Sequence, residues 1–125
     1  MAAVPKRCVS TWPRDGAAAE IAQAVAHAHG GIDILVNAAH AALAWMPLAD
    51  KKEADFAAAF HDVVMPTVAA MRAARPHMLR RGGGRIVNVG SIYGATANEG
   101  ITDAITMDGA LASLTPVGWH RMGTR

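Results

Sequence analysis

The stretch GIDILVNAAH, residues 31–40, decides the fold. Within it, residues 32–36 form a short apolar run, rich in β-branched side chains, between Gly31 and Asn37. Such a run is typical of a strand whose two faces are both buried. Residues 85–89, RIVNV, show the same pattern after three glycines. We therefore predict two buried strands, at residues 32–36 and 85–89.

Two helical patterns precede these strands. Residues 16–30 are rich in alanine and end in paired glycines, which favours a helix with a glycine C-cap. Between residues 51 and 81, apolar side chains recur every three or four positions, which predicts a long helix with one core-facing stripe. We expect Pro66 to kink this helix, because proline removes one backbone donor, and Pro76 to do the same. The predicted stripe comprises Phe56, Phe60, Val64, Val68 and Met71.

A third helix is predicted after the second strand, over residues 102–115. Its apolar face consists of Ile105, Leu111 and Leu114, and Pro116 is expected to end it. The connection between the two strands has the length of a helix, which indicates that the strands are parallel. The predicted fold class is therefore α/β with a doubly wound parallel sheet.

The composition fits one domain and excludes several classes of function. The chain has 125 residues, of which 52% are hydrophobic, so intrinsic disorder is not expected. Its 12 basic and 10 acidic side chains nearly balance, which disfavours a nucleic acid as partner. Cys8 is the single cysteine, so an intrachain disulfide is excluded. Because the sequence shows neither a membrane span nor a signal peptide, we expect a cytoplasmic protein with no membrane partner.

Three segments carry a family resemblance. GIDILVNAAH, PHMLRRGGGRIVNVGSIYG (residues 76–94) and GALASLT (residues 109–115) are similar, in this order, to segments of the short-chain dehydrogenase/reductase family. The resemblance covers residues 17–115. It implies a single partial Rossmann-like domain over residues 1–125, with 1–15 as a loose lead-in and 116–125 as a tail. It also implies NAD or NADP as cofactor, and hydride transfer that reduces a small carbonyl or oxidises an alcohol.

The resemblance also assigns roles to individual residues. Ser91 takes the position of the family's catalytic serine, and Asn37, Ala38 and Ala39 fall in the loop that contacts the cofactor. For Asn37, a side chain that holds the strand-to-loop turn is an equal alternative. Tyr93 lies two residues beyond Ser91, where it is either a substitute proton donor or a half-buried turn aromatic.

The positions of the family's catalytic tyrosine and lysine carry other residues in this chain. The family has a tyrosine thirteen residues beyond the serine and a lysine four residues further, where this chain has Ala104 and Asp108. A tyrosine phenol has a pKa of about 10 and needs a nearby cation to exchange protons at neutral pH. Alanine has no proton to exchange, and an aspartate would disfavour a phenolate. Loss of general acid–base assistance typically lowers a rate by about 10²–10⁴-fold.

The phosphate-binding turn of such folds is also missing from the sequence. In dinucleotide-binding domains a glycine-rich turn follows a strand and opens a helix. Residues 82–84 are glycines, but they precede a predicted strand. We therefore expect weakened cofactor binding, although the carboxylate of Asp108 can accept a hydrogen bond from a ribose hydroxyl.

The histidines give no firm site. His40 follows the first strand, where ligands of α/β sheets bind, but we interpret it as a solvated loop histidine. His27 and His29 are two residues apart on a helix and point in different directions, so we predict no metal site.

Taken together, the sequence predicts an oxidoreductase fragment with impaired catalysis, the middle of a longer enzyme. One alternative is a non-catalytic oligomerisation or interaction module, in which residues 52–80 and 102–115 contact the same or another chain. The other is a decayed, truncated gene product. In each case the strand at residues 32–36 is expected to have one open edge, which is a site for partner capture.

Overall fold

The computed structural model describes residues 16–38, 45–96 and 98–119. It contains four α-helices and two strands, in the alternating order that the sequence predicts. The helices are α1 (Ala17–His29), α2 (Glu53–Ala59), α3 (Met65–Arg80) and α4 (Thr102–Trp119), and the strands are β1 (Ile34–Asn37) and β2 (Arg85–Asn88). The predicted α/β class is confirmed. The N-terminal lead-in, residues 1–15 with Cys8, lies outside the described residues, as do Ala39 and His40.

The two strands are parallel. Ile34 stands opposite Arg85, and Asn37 stands opposite Asn88 at the carboxyl ends. In the described part of the chain β1 pairs with β2 alone, so the other edge of β1 carries backbone groups without a strand partner there. Helix α1 ends at its C-cap Gly30, and the chain then leads into β1. Gly30 has a φ of 77°, in the left-handed region that glycine adopts readily.

The prediction that both faces of the strands are buried is wrong. On one face, α1 and α3 pack against the sheet around Ala22, Ile32, Ala74 and Met78. The opposite face is apolar but open, with Ile34 61%, Val36 57% and Val87 47% exposed. Since side chains alternate between the faces of a strand, the described helices cover only the face to which Leu35 and Ile86 belong.

The long helix predicted between residues 51 and 81 is interrupted before Pro66. A π-helical turn, Phe60–Val64, joins α2 to α3, and the Met65 N–H bonds to the Phe60 carbonyl across it. Because a π-turn inserts an extra residue, it rotates the apolar stripe out of phase. Phe60 is therefore 44% exposed, contrary to the prediction, while Val63 and Val64 are buried. Pro76 lies inside α3, which continues to Arg80.

Helix α4 forms the second core cluster with this long helical segment. Met107 and Leu111 pack against Ala59, Val63 and Val64. The predicted stop at Pro116 is wrong, because α4 runs on to Trp119. Proline removes only one backbone donor, and the carbonyl that loses its partner belongs to Ala112, which is exposed to solvent. Residues 116–119 of the predicted tail thus belong to α4, and residues 120–125 lie outside the described part.

None of the described helices is both long enough and apolar enough to cross a membrane.

Candidate functional site

The carboxyl ends of β1 and β2 are joined by a chain of side-chain hydrogen bonds. The Asn37 amide donates to Asn88 Oδ1 at 2.7 Å, and the Asn88 amide donates to Thr115 Oγ1 on α4 at 2.9 Å. The Thr115 hydroxyl in turn donates to the Leu111 carbonyl at 2.7 Å. The Asn37 side chain is thus bound to the neighbouring strand rather than to the turn that follows β1, and both roles offered for it by the sequence stay predictions. Ala38 follows it as an exposed residue.

Sequence reasoning missed Asn88 and Thr115. The available signal was a Val-Asn pair that occurs in both segments, at residues 36–37 and 87–88. Because the strands are parallel and in register, this repetition places two amide side chains next to each other.

Ser91 begins the turn that follows β2. Its Oγ accepts a hydrogen bond from the Tyr93 N–H at 3.2 Å and so caps the short 3₁₀ helix Ile92–Ala95. The Gly94 N–H closes this turn on the Ser91 carbonyl at 3.1 Å. The serine hydroxyl proton is not used in the capping bond, since the oxygen acts there as acceptor.

Asp108 meets the Ser91 turn from α4. Its Oδ1 accepts a hydrogen bond from the Ser91 N–H at 3.2 Å. Ala104 lies one helical turn before Asp108 and is half-buried. The structure thus brings the predicted serine and position 108 together, with a carboxylate at 108 and a side chain at 104 that carries no ionisable proton.

An aromatic pair lies beside this turn. The rings of Trp45 and Tyr93 meet edge to face, with centroids 6.3 Å apart and planes at 89°. Trp45 is 64% exposed and Ile92 is 75% exposed, so apolar surface adjoins Ser91. The sequence pointed to Tyr93 but not to Trp45, because their contact joins segments that are far apart in the chain.

A buried ion pair fixes the start of α4. Lys51 Nζ lies 2.8 Å from Asp103 Oδ1, and the two side chains are only 1% and 8% exposed. Asp103 directly precedes Ala104, so the pair ties the first turn of α4 to the segment that leads into α2. Neither residue was singled out by the sequence, since a lysine and an aspartate so far apart carry no local pattern.

The described residues fit a nicotinamide dinucleotide only in part. Asn37 and Ala38 lie at the carboxyl edge of the sheet, where ligands of such folds bind. No described strand leads through a glycine-rich turn into a helix, since residues 82–84 lie between α3 and β2. The contacts for a pyrophosphate on a helix N-terminus are therefore not found among the described residues.

A cavity of about 410 Å³ lies at the other end of the strands. It is lined by the C-terminal ends of α1 and α3, with His27, His77, Arg80 and Arg81 among its residues. Because α1 and α3 lead into the amino ends of the strands, this cavity is remote from Ser91.

Comparison with known families and structures gives one consistent result. Residues 10–104 match the family model for short chain dehydrogenases, a segment that includes Ser91 and ends at Ala104. No curated protein matches the chain.

Solved structures show the same fold. An NAD⁺-bound xylitol dehydrogenase is 28% identical with a TM-score of 0.77, over 83% of this chain and 40% of that one. A gluconate 5-dehydrogenase from Burkholderia cenocepacia J2315, in complex with NADP and tartrate, is 26% identical with a TM-score of 0.76, over 88% and 44%. ElxO with NADP bound is 28% identical with a TM-score of 0.71, over 78% and 39%. The chain thus spans less than half the length of these structures.

Proposed function

Since the chain belongs to the short-chain dehydrogenase family, we propose that it is a segment of an NAD(P)-dependent oxidoreductase in which the proton-transfer step is impaired. The proposed family reaction is the reduction of a small carbonyl compound, or the oxidation of the corresponding alcohol. NAD or NADP is the proposed cofactor, because the similar structures hold NAD⁺ or NADP.

One observation carries this proposal: the residue of α4 that binds the Ser91 turn is Asp108, and Ala104 lies one helical turn before it. When a carbonyl carbon accepts a hydride, its oxygen must also receive a proton. An aliphatic side chain at 104 has none to give, and a carboxylate at 108 disfavours any neighbouring phenolate. The expected loss is about 10²–10⁴-fold in rate, equivalent to about 3–5 kcal/mol of barrier.

The proposed contacts of the substrate and the cofactor follow from the positions of Ser91 and of residues 37–39. Ser91 is proposed to orient the carbonyl oxygen, since its hydroxyl proton is not used in the bond from Tyr93. Asn37, Ala38 and Ala39 are proposed to contact the ribose region of the cofactor, with Ala39 outside the described residues. Because Asn37 already donates to Asn88, the contact would use its amide oxygen or its second amide hydrogen.

Cofactor binding and turnover test the proposal separately. The full chain is titrated with NADH and NADPH, by calorimetry or by fluorescence of its three tryptophans, and is then assayed with small ketones and alcohols. We expect saturable binding with turnover far below about 1 s⁻¹, the lower end of ordinary enzymes. Absence of saturable binding at millimolar cofactor contradicts the oxidoreductase assignment, whereas ordinary turnover contradicts the impairment. In the ketone assay, Ser91→Ala tests the proposed role of the serine, and Ser113→Ala, at an exposed position of α4, is the matched control.

A non-catalytic interaction module is the second candidate. It is favoured by two exposed apolar side chains, Phe60 at 44% and Met65 at 49%, within the predicted contact region 52–80. The Met65 N–H bonds to the Phe60 carbonyl, which places both side chains near the same side of the helix. If this surface contacts a second chain, together with residues 102–115, Phe60→Lys lowers the sedimentation coefficient. Gln23→Lys, which adds the same charge at an exposed position of α1 outside both regions, leaves it unchanged. A monomeric parent contradicts self-association.

A further inference from the structure

The turn that contains Ser91 is built closely around Asp108. In addition to the bond between the Ser91 N–H and Asp108 Oδ1, two glycines of the turn approach this side chain. A Cβ atom on Gly94 would lie 2.7 Å from Asp108 Cβ, and one on Gly90 would lie 3.3 Å from Asp108 Oδ1. Since Cβ contacts below 3.0 Å essentially do not occur, glycine at 94 is what allows the turn to come this close to α4.

We propose that Asp108 is a positioning residue, which holds the Ser91 turn on α4 through its carboxylate. This inference rests on the proposed place of Ser91 in the site. A carboxylate accepts a backbone N–H more strongly than a neutral group does. The Ser91 residue is then held on both sides, because Asp108 binds its N–H and its own Oγ accepts the N–H of Tyr93. Together these bonds fix the Ser91 backbone and the position of its Oγ.

The same geometry explains why the lysine expected from the family does not suit this position. An ammonium group has three donors and no acceptor, so it leaves the Ser91 N–H without its partner. Its longer side chain also meets the backbone of Gly90 and Gly94, which now lies against Asp108. Introducing the family residue by Asp108→Lys is therefore expected to release the turn rather than to repair the site.

The amide proton of Ser91 gives a direct test. Its chemical shift and its hydrogen-exchange rate are measured by NMR in the full chain and in three variants, Asp108→Asn, Asp108→Leu and Asp108→Lys. Loss of a hydrogen bond to a charged group corresponds to about 10–100-fold faster exchange, which we expect for Leu and Lys. Asp108→Asn retains an acceptor oxygen, so exchange is expected to rise by less than about 10-fold. Ser113→Lys, an added cation at an exposed position of α4, is the control and leaves the Ser91 signal unchanged.

A second pair of variants keeps the test decisive if the Leu and Lys variants do not fold. Gly94→Ala pushes a methyl group against Asp108 and is expected to shift the Ser91 and Tyr93 amide signals. Gly109→Ala adds the same methyl group on α4, where no neighbouring atom lies within 4 Å, and leaves them in place.

An unchanged Ser91 amide in Asp108→Leu overturns the proposal, as does an Asn variant that behaves like Leu. Unmoved signals in Gly94→Ala overturn it as well. None of these measurements uses a cofactor or a substrate, so their outcome is independent of whether the chain binds NAD(P)H.

Discussion

Replacing Lys51 by methionine is expected to be among the most destabilising single changes in this chain. The variant removes the ammonium group but leaves the carboxylate of Asp103, which is 8% exposed, without its partner at 2.8 Å. Breaking a buried ion pair from one side typically costs about 3–5 kcal/mol, because an uncompensated charge remains in a medium of low polarity. For a domain of this size, total stability is about 5–15 kcal/mol, so the loss is a large share of it.

The double variant Lys51→Met/Asp103→Leu separates the cost of the orphaned charge from the value of the pair. Exchanging both partners for apolar side chains of similar volume is often neutral or stabilising. We therefore expect the double variant to regain most of what the single variant loses. Urea unfolding, followed by tryptophan fluorescence and extrapolated linearly to water, gives the free energy of unfolding of each form.

The exposed ion pair of the same fold supplies the control. Arg81 Nε lies 2.6 Å from Asp33 Oδ1, but the side chains are 43% and 65% exposed. Surface pairs contribute about 0–1 kcal/mol, so Asp33→Asn should cost no more than that. The reasoning fails if Lys51→Met costs as little as Asp33→Asn, or if the double variant is as unstable as the single one.

Three further predictions concern the site and the two faces of the sheet. The double variant Ala104→Tyr/Asp108→Lys should not reach ordinary turnover in an NADPH-consumption assay, because it restores the proton donor while releasing the Ser91 turn; a rate of about 1 s⁻¹ or more would contradict this. Asn88→Ala should cost about 1–3 kcal/mol in urea unfolding, since it removes the acceptor of the Asn37 amide and one donor to Thr115 Oγ1, and a loss below about 0.5 kcal/mol would show that these hydrogen bonds do not stabilise the fold. In the same assay Met78→Ala, at 0% exposure, should cost about 2–5 kcal/mol while Val87→Ala, on the open face, stays within about 0.5 kcal/mol; equal losses would mean that the open face is covered.

The exposed apolar face of the sheet favours association of this chain with other molecules. Ile34, Val36 and Val87 are exposed there, beside the edge of β1 that has no strand partner within the described ranges. Exposed apolar surface next to unpaired strand groups favours association. Stability measurements are therefore best made over a range of protein concentrations, because self-association through this face would make the unfolding midpoint depend on concentration.

The family and the order of elements were predictable from local patterns. The apolar runs at residues 32–36 and 85–89, the alanine-rich helix and the glycines between them sufficed for an α/β fold, and the family match over residues 10–104 confirms the resemblance. The position of Ser91 and the identity of residues 104 and 108 followed from counting along the chain. Their assigned roles stay predictions until binding and turnover are measured.

Three errors had one origin: the effect of a residue depended on what surrounds it in space. Both faces of a strand are buried only when other elements pack on both sides of the sheet, and the described helices pack on one side. The prediction of an apolar stripe through Phe60 assumed a constant helical period, and the π-turn Phe60–Val64 changes that period. Pro116 was expected to end α4, yet one lost donor did not prevent the helix from continuing to Trp119.

By itself, the sequence determined the order of the helices and strands, and that a carboxylate, rather than an ammonium group, stands at position 108. Only the tertiary structure decided what that carboxylate does, because its partner, the Ser91 N–H, belongs to a turn seventeen residues earlier in the chain. The same holds for the Lys51–Asp103 pair and for the amides of Asn37 and Asn88. Periodicity and local spacing report the near neighbours of a residue along the chain, whereas a hydrogen bond or an ion pair depends on distances that exist only after the helices have packed against the sheet.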